Sequence, residues 1–381
     1  MKNGDGMRRA VLGTIALLLI AFISGCISQT QTVTVTETVT ETHTEYVPIT
    51  ITPSSTPTST QTPTESPIST TTSMPAEEKE NIIQVDCKAE RWRDDYEKAM
   101  VCAIDGTRYF VEGGTNDPKE ITLVIAKEVG NELQIDFVKE NQSMKKGYYF
   151  DILTPRELEK TKKGTYADLA MYVAAKLISR GIDTYMVYLK TQNGFGLLPT
   201  FKLKPNGKLF VIYWPYIVPI PLGSVKTLLD YGGDPLEYVI IYHITPIDEE
   251  YNRSVKVERL EKIDRLQLID TSFDEFKMNL WKIKEDIPKY IKYEIALYNP
   301  SCDADPNLRP NQEFEIYIGA YHWIYSEEYH DKIVEFIVKD LLERLKQQDK
   351  DFVIKCDKYY ISEITPMHDK MYIHIFVQNR W

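Results

Sequence analysis

The residues with usable chemistry in this chain are its cysteines, its few histidines and scattered acids. Cys26 stands apart. It closes Ile23-Ser24-Gly25-Cys26, after an apolar run from Ala10 to Ile23 preceded by Lys2, Arg8 and Arg9. The run is 14 residues long, short of the roughly 20 that cross a bilayer. A charged start, a short apolar middle and small terminal residues make a secretory signal, residues 1–25, clipped before Cys26. Cys87, Cys102, Cys302 and Cys356 are then an even set in an oxidising compartment. Three pairings are open. Cys87–Cys102 with Cys302–Cys356 is the simplest, because each pair closes a loop within one region. Metal binding is the alternative, but Cys-x-x-Cys spacing is absent and the histidines are scattered, so no metal and no cofactor are expected. No Gly-rich helix start follows any of the four, so none reads as a nucleophile. Asp303, Asp305 and Asn307 alternate as Ca²⁺ ligands can, yet the EF-hand glycine and terminal glutamate are missing, and a solvated loop is expected. Asn141 and Asn252 begin Asn-x-Ser sequons, candidate N-glycan acceptors. Gly-x-Ser-x-Gly, P-loop and dinucleotide fingerprints are absent.

Among the elements that would position such residues, one is specified best. From Tyr166, apolar residues fall at 166, 169, 170, 173, 174, 177 and 178, the stripe of a buried helix. Thr165 is an N-cap with Asp168 three positions on, a capping box, and Arg180-Gly181 marks the end. Strands are expected over 184–190, 198–204, 209–214 and 236–243, with Asn206-Gly207 as the hairpin dipeptide between the second and third. Upstream, helices are expected over 90–99 and 118–127 and a helical turn over 155–159. In the C-terminal part the pattern predicts a partly helical 273–291, strands over 293–298 and 313–323, and a long helix capped by Ser326. That helix carries Ile333, Val334, Ile337, Val338, Leu341, Leu342 and Leu345 on one face. Strands over 352–356 and 371–377 follow, the latter setting His374 between Tyr372 and Phe376. Two strands around one amphipathic helix make an α+β unit.

The sequence around Cys26 resembles the lipobox of prokaryotic lipoproteins. The resemblance implies a thioether-linked lipid on Cys26, and stable tethering needs two chains. An uncleaved anchor helix ending at a chance cysteine is the alternative. Residues 26–80 are built largely from Thr, Ser, Pro, Val and Glu, which cannot bury enough apolar area to offset ordering entropy. They read as a stalk, often O-glycosylated. A lipobox followed by such a stalk resembles archaeal surface lipoproteins, held on the outer face of the cell membrane.

Gly164-Thr165-Tyr166-Ala167-Asp168-Leu169-Ala170, its helix, Gly181-Ile182 and the strands that follow resemble the transglutaminase-like (papain-like) fold over roughly residues 118–216. That family shows Gly-x-Cys-x-Asp-x-Ala at the start of a buried helix packed on an antiparallel sheet. Its chemistry needs a thiolate at the helix N-terminus, a His and an orienting carboxylate. The resemblance puts Tyr166 in the Cys slot. Counting around Asn206-Gly207, it puts Pro199 in the His slot and Trp214 in the Asp slot. His is absent between His43 and His243. No catalytic residue is therefore expected, and Asp168 is accounted for by capping alone.

The formal charge is −11, and loss of residues 1–25 removes three cations and one anion, giving −13. An acidic chain excludes nucleic acid as a partner. The 25 Tyr and 5 Trp fit a Tyr-rich core, or a peptide or glycan surface. The reading is an α+β protein in four parts: signal 1–25, lipidated stalk 26–80, a transglutaminase-like domain 81–246, and a C-terminal α+β region 247–381. Its expected role is a non-catalytic binding module or scaffold tethered to the membrane through Cys26. The alternatives are a substrate-binding lipoprotein of an importer and an extracellular enzyme with another centre.

Overall fold

The computed structural model describes residues 81–88, 91–104, 116–205, 207–249, 252–296 and 298–380. The signal, Cys26, the stalk and Asn206 lie outside them. The protein is mixed α+β, with helices and three sheets. Chain order begins with α1 (Tyr96–Ala103), α2 (Pro118–Glu132), β1 (Gln134–Ile135), α3 (Phe137–Lys146), α4 (Pro155–Thr161) and β2 (Lys163–Gly164). It continues with α5 (Tyr166–Ser179), β3 (Asp183–Thr191), β4 (Phe195–Lys202), β5 (Leu209–Val211), β6 (Ile220–Pro221), α6 (Leu222–Tyr231), β7 (Leu236–Glu249) and β8 (Asn252–Asp264). The last part holds α7 (Ser272–Met278), α8 (Leu280–Ile295), β9 (Asp303–Ala304), β10 (Gln312–Ile318), α9 (His330–Gln348), α10 (Phe352–Lys355), β11 (Cys356–Pro366) and β12 (Met371–Asn379).

A six-stranded antiparallel sheet runs β6-β5-β4-β3-β7-β8. Helix α5 lies on it, and every residue from Ala167 to Ile178 is buried. A helix buried on every side belongs inside a protein, and its buried Lys176 is paired with Glu128 at 2.7 Å. Its small face, Ala167, Ala170 and Ala174, packs with Met186, Leu197 and Tyr242 of the sheet. Its larger face, Leu169, Val173 and Leu177, joins Ile121, Ile125 and Val129 of α2. Gly181 ends it at φ +70°, a conformation that favours glycine.

The second sheet runs β10-β12-β11-β9. In β10, Phe314, Ile316 and Ile318 point inward while the residues between them face out. Helix α9 covers that face with the stripe from Ile333 to Leu345, all of it buried, as the spacing predicts. Helix α8 adds Ile283, Ile287, Ile291 and Ile295, one residue per turn. Both sheets share one continuous core. Both disulfides form as the spacing suggests, Cys87–Cys102 and Cys302–Cys356, with Cα separations of 5.5 and 5.3 Å. Among the described residues no helix is long and apolar enough to cross a membrane.

Several expectations need correction. The helix expected over 90–99 starts at Tyr96, because Asp95 accepts the Glu97 and Lys98 N–H groups as its cap. The strand expected over 293–298 is the end of α8, whose buried stripe runs on to Ile295. The strand expected over 352–356 is the helical turn α10, after which β11 begins. The strand expected over 313–323 stops at Ile318, and Tyr321–Trp323 form a 3-10 turn. Ser326 caps a 3-10 turn, Glu327–Tyr329, that leads into α9. The boundary at 246/247 falls inside β7, which pairs with β8 along its length, so the first sheet continues to Asp264.

Candidate functional site

Helix α5 presents its N-terminus to a ring of aromatic and acidic residues. Thr165 Oγ1 accepts the Asp168 N–H at 3.3 Å, and Asp168 Oδ2 accepts the Thr165 N–H at 2.7 Å, the capping box read from sequence. The other Asp168 oxygen accepts the Leu153 N–H at 2.7 Å and so ties down the chain entering α4. Lys139 Nζ lies 3.6 Å from Oδ2. Burial raises the Asp168 carboxyl above its usual range, opposed by Lys139 and by the hydrogen bonds from Leu153 and Thr165.

A second carboxylate sits beside it, which the sequence did not single out. Glu140 Oε2 accepts the Tyr166 N–H at 3.0 Å, and Oε1 accepts the Tyr149 hydroxyl at 3.2 Å. Burial pushes Glu140 up to about 7, against the pull of those bonds. The placement is chemically sensible, since an acid at a helix N-terminus satisfies an orphan N–H and the dipole. Helix α3 delivers it by packing inside out. It buries Glu140 and Ser143 and leaves Phe137 and Val138 exposed. The apolar residues alone would point the wrong face inward. The only cue was Asp136, which caps α3.

Tyr166, Pro199 and Trp214 meet at this place. The Tyr166 ring stacks on Tyr213 at a centroid distance of 6.1 Å and meets Trp214 edge-on at 6.5 Å. Pro199 lines the same spot with Leu169, Val173 and Ile212, around a void of only about 10 Å³. That is at the lower limit for one water. Trp214 Nε1–H donates to the Leu133 carbonyl at 3.2 Å, and its ring meets Phe137 edge-on. Burial raises the Tyr166 hydroxyl well above its ordinary value, with Tyr213 and Glu140 adding to it. A phenolate nucleophile is disfavoured there.

The register explains how Pro199 fits. It pairs with Met186 of β3, and its carbonyl accepts the Ile212 N–H at 3.2 Å. N–H and C=O of one strand residue face the same neighbour, so the missing N–H costs no bond toward β3. The β4–β5 pairing joins Lys202 to Leu209, which centres the hairpin at 205/206 rather than at Asn206-Gly207. Strand β5 ends at Val211, and Tyr213 and Trp214 leave the ladder to cover α5.

Cys87, Cys102, Cys302 and Cys356 are all bonded, so no free thiol exists among the described residues. Two histidine clusters stand elsewhere. His330 Nδ1 lies 2.7 Å from the Tyr325 hydroxyl and its Nε2 3.0 Å from Asp286, with His330 and Tyr325 buried. His243 Nε2 lies 2.9 Å from Asp183, which also accepts the Tyr185 hydroxyl. Neither lines the void at Tyr166. His374 stacks between Tyr372 and Phe376. Asp303 pairs with Lys292, and Asp305 with Lys358 while also capping the Asn307 N–H. Among the described residues no group of three or more His, Cys, Asp or Glu side chains could hold a metal ion. Asn141 is exposed on α3, but Ser143 of its sequon is buried. Asn252 opens β8.

No protein-family model matches the chain. The chain is 29% identical over 164 residues to the UPF0252 protein MJ1282 of Methanocaldococcus jannaschii. The match covers 40% of this chain and 46% of that protein, so the chain spans about half the length of the curated relative it matches.

Proposed function

We propose that this protein is a surface-tethered lipoprotein whose transglutaminase-like core is non-catalytic and serves as a binding module or scaffold outside the cell. One observation carries the reading. The three positions to which the resemblance assigns thiol, imidazole and carboxylate are Tyr166, Pro199 and Trp214, and they line a void of only about 10 Å³. The N-terminus of α5 is committed as well, because Glu140 and Asp168 already accept its N–H groups. Two disulfides fit an oxidising exterior, which the proposed lipid on Cys26 would also require. The importer reading would need two lobes joined by a hinge, whereas these sheets share one core.

Two measurements test it. A panel of peptide and glutamine-amide substrates is turned over by neither the full chain nor its Tyr166→Phe variant. Activity lost in Tyr166→Phe would defeat the non-catalytic reading. Mass spectrometry of the mature N-terminus finds a lipid-modified Cys26, and Cys26→Ser releases the protein from membranes. An unprocessed N-terminus would remove the anchor.

A further inference from the structure

A cleft of about 610 Å³ opens between the ends of α2 and α6 and the helix α9. One wall comes from the end of α2, the loop 215–218 and the end of α6; the other from 319–324 and from α9. Its floor is tight. A Cβ on Gly130 would lie 2.5 Å from the Ile217 side chain and 3.1 Å from the Pro215 carbonyl, so glycine is what lets α2 approach the loop. Tyr216, Tyr321, Trp323 and Phe336 line the space.

Asp340 holds three of the lining groups in place. Its Oδ2 accepts the Gly319 N–H at 3.0 Å and the Tyr321 hydroxyl at 3.3 Å, and its Oδ1 accepts Arg344 Nε at 3.3 Å. Among the described residues, the terminal nitrogens of Arg344 and the carboxylate of Glu343 make no hydrogen bond. A donor fork and an acceptor pair thus stand side by side on α9 at the edge of an aromatic cleft.

We propose that this cleft binds a neutral pyranose unit, one or two sugar rings of a glycan. The volume falls in the roughly 300–1,000 Å³ range of ligand sites. Aromatic rings present apolar faces to the C–H face of a pyranose. Hydroxyls donate and accept at once, which suits Arg344 beside Glu343. An acyl chain would strip water from Arg344, Asp340 and Glu343 without replacing their hydrogen bonds. Lys339 and Arg344 offset Asp340 and Glu343 around the cleft, so an ionised sugar meets no surplus of opposite charge there. The site goes beyond the filled-pocket reading and does not depend on it, since the two cavities share no lining residue.

The test is calorimetric titration of the full chain with cellobiose, chitobiose, mannobiose, galacturonate and laurate. At least one neutral disaccharide binds saturably. Trp323→Ala and Arg344→Gln each weaken it about tenfold or more, while Trp281→Ala, on the exposed side of α8, leaves it unchanged. Near-ultraviolet dichroism checks that the variants fold. Three results overturn the proposal: no neutral disaccharide binds at millimolar concentration; one binds equally well to both cleft variants; or galacturonate or laurate binds more tightly than every neutral disaccharide.

Discussion

The N-terminus of α5 and the cleft beneath Trp323 are both aromatic, and they differ in what the aromatics do. At Tyr166 the rings close on each other and leave about 10 Å³; at Trp323 they line about 610 Å³. The polar groups differ in the same way. Asp168 and Glu140 spend their oxygens on backbone N–H groups and a buried tyrosine. Arg344 and Glu343 keep polar atoms turned to the open space. An aromatic-rich site is a plug where its polar partners are internal, and a receptor where they are left outward. Stability should therefore depend on the first site and binding on the second.

The largest effect is expected at Asp168. Asp168→Ala unpairs the Leu153 and Thr165 N–H groups and removes the carboxylate beside Lys139, and should lower stability by about 3 kcal/mol in denaturant titration. A cost below about 1 kcal/mol would mean that the acid is not a keystone of the plug.

The next effect is on pH dependence. Glu140 is held near 7, above its ordinary 4.5, so the folded state binds the extra proton. Its contribution is favourable below the unfolded value and is lost as pH rises through about 7. The full loss is on the order of 3 kcal/mol. Glu140→Gln should flatten stability between about pH 4.5 and 7, the window between the two values. An equal slope in both proteins would contradict the assignment.

Tyr166→Ala opens a partly buried gap and should cost about 2 kcal/mol in the same titration. The smallest effect is at the cleft. Arg344→Gln removes one i,i+4 ion pair and should move stability by about 0.5 kcal/mol or less. A larger loss would make the cleft structural and erase the contrast.

Legibility in the sequence followed locality. Helix α5 could be read because its stripe, capping box and terminal Gly181 lie within one stretch. That Tyr166, Pro199 and Trp214 line one void was an expectation of the resemblance, not of any local pattern around those residues. Helix α3 could not be read, since its inward face carries Glu140 and Ser143 while Phe137 and Val138 face solvent. The end of the first sheet was misplaced because β8 alternates charged and apolar residues as an edge strand, and its partner β7 is fixed by pairing. The cleft left no local trace, because it gathers residues from Gly130 to Arg344.

The most direct test of the plug is ring replacement. Tyr166→Ala is expected to lose thermal stability and to regain part of it with added p-cresol, whose ring matches the deleted side chain, while the parent protein is unaffected. Equal stabilisation of both proteins, or full stability of Tyr166→Ala without p-cresol, would contradict the claim that Tyr166 fills this site.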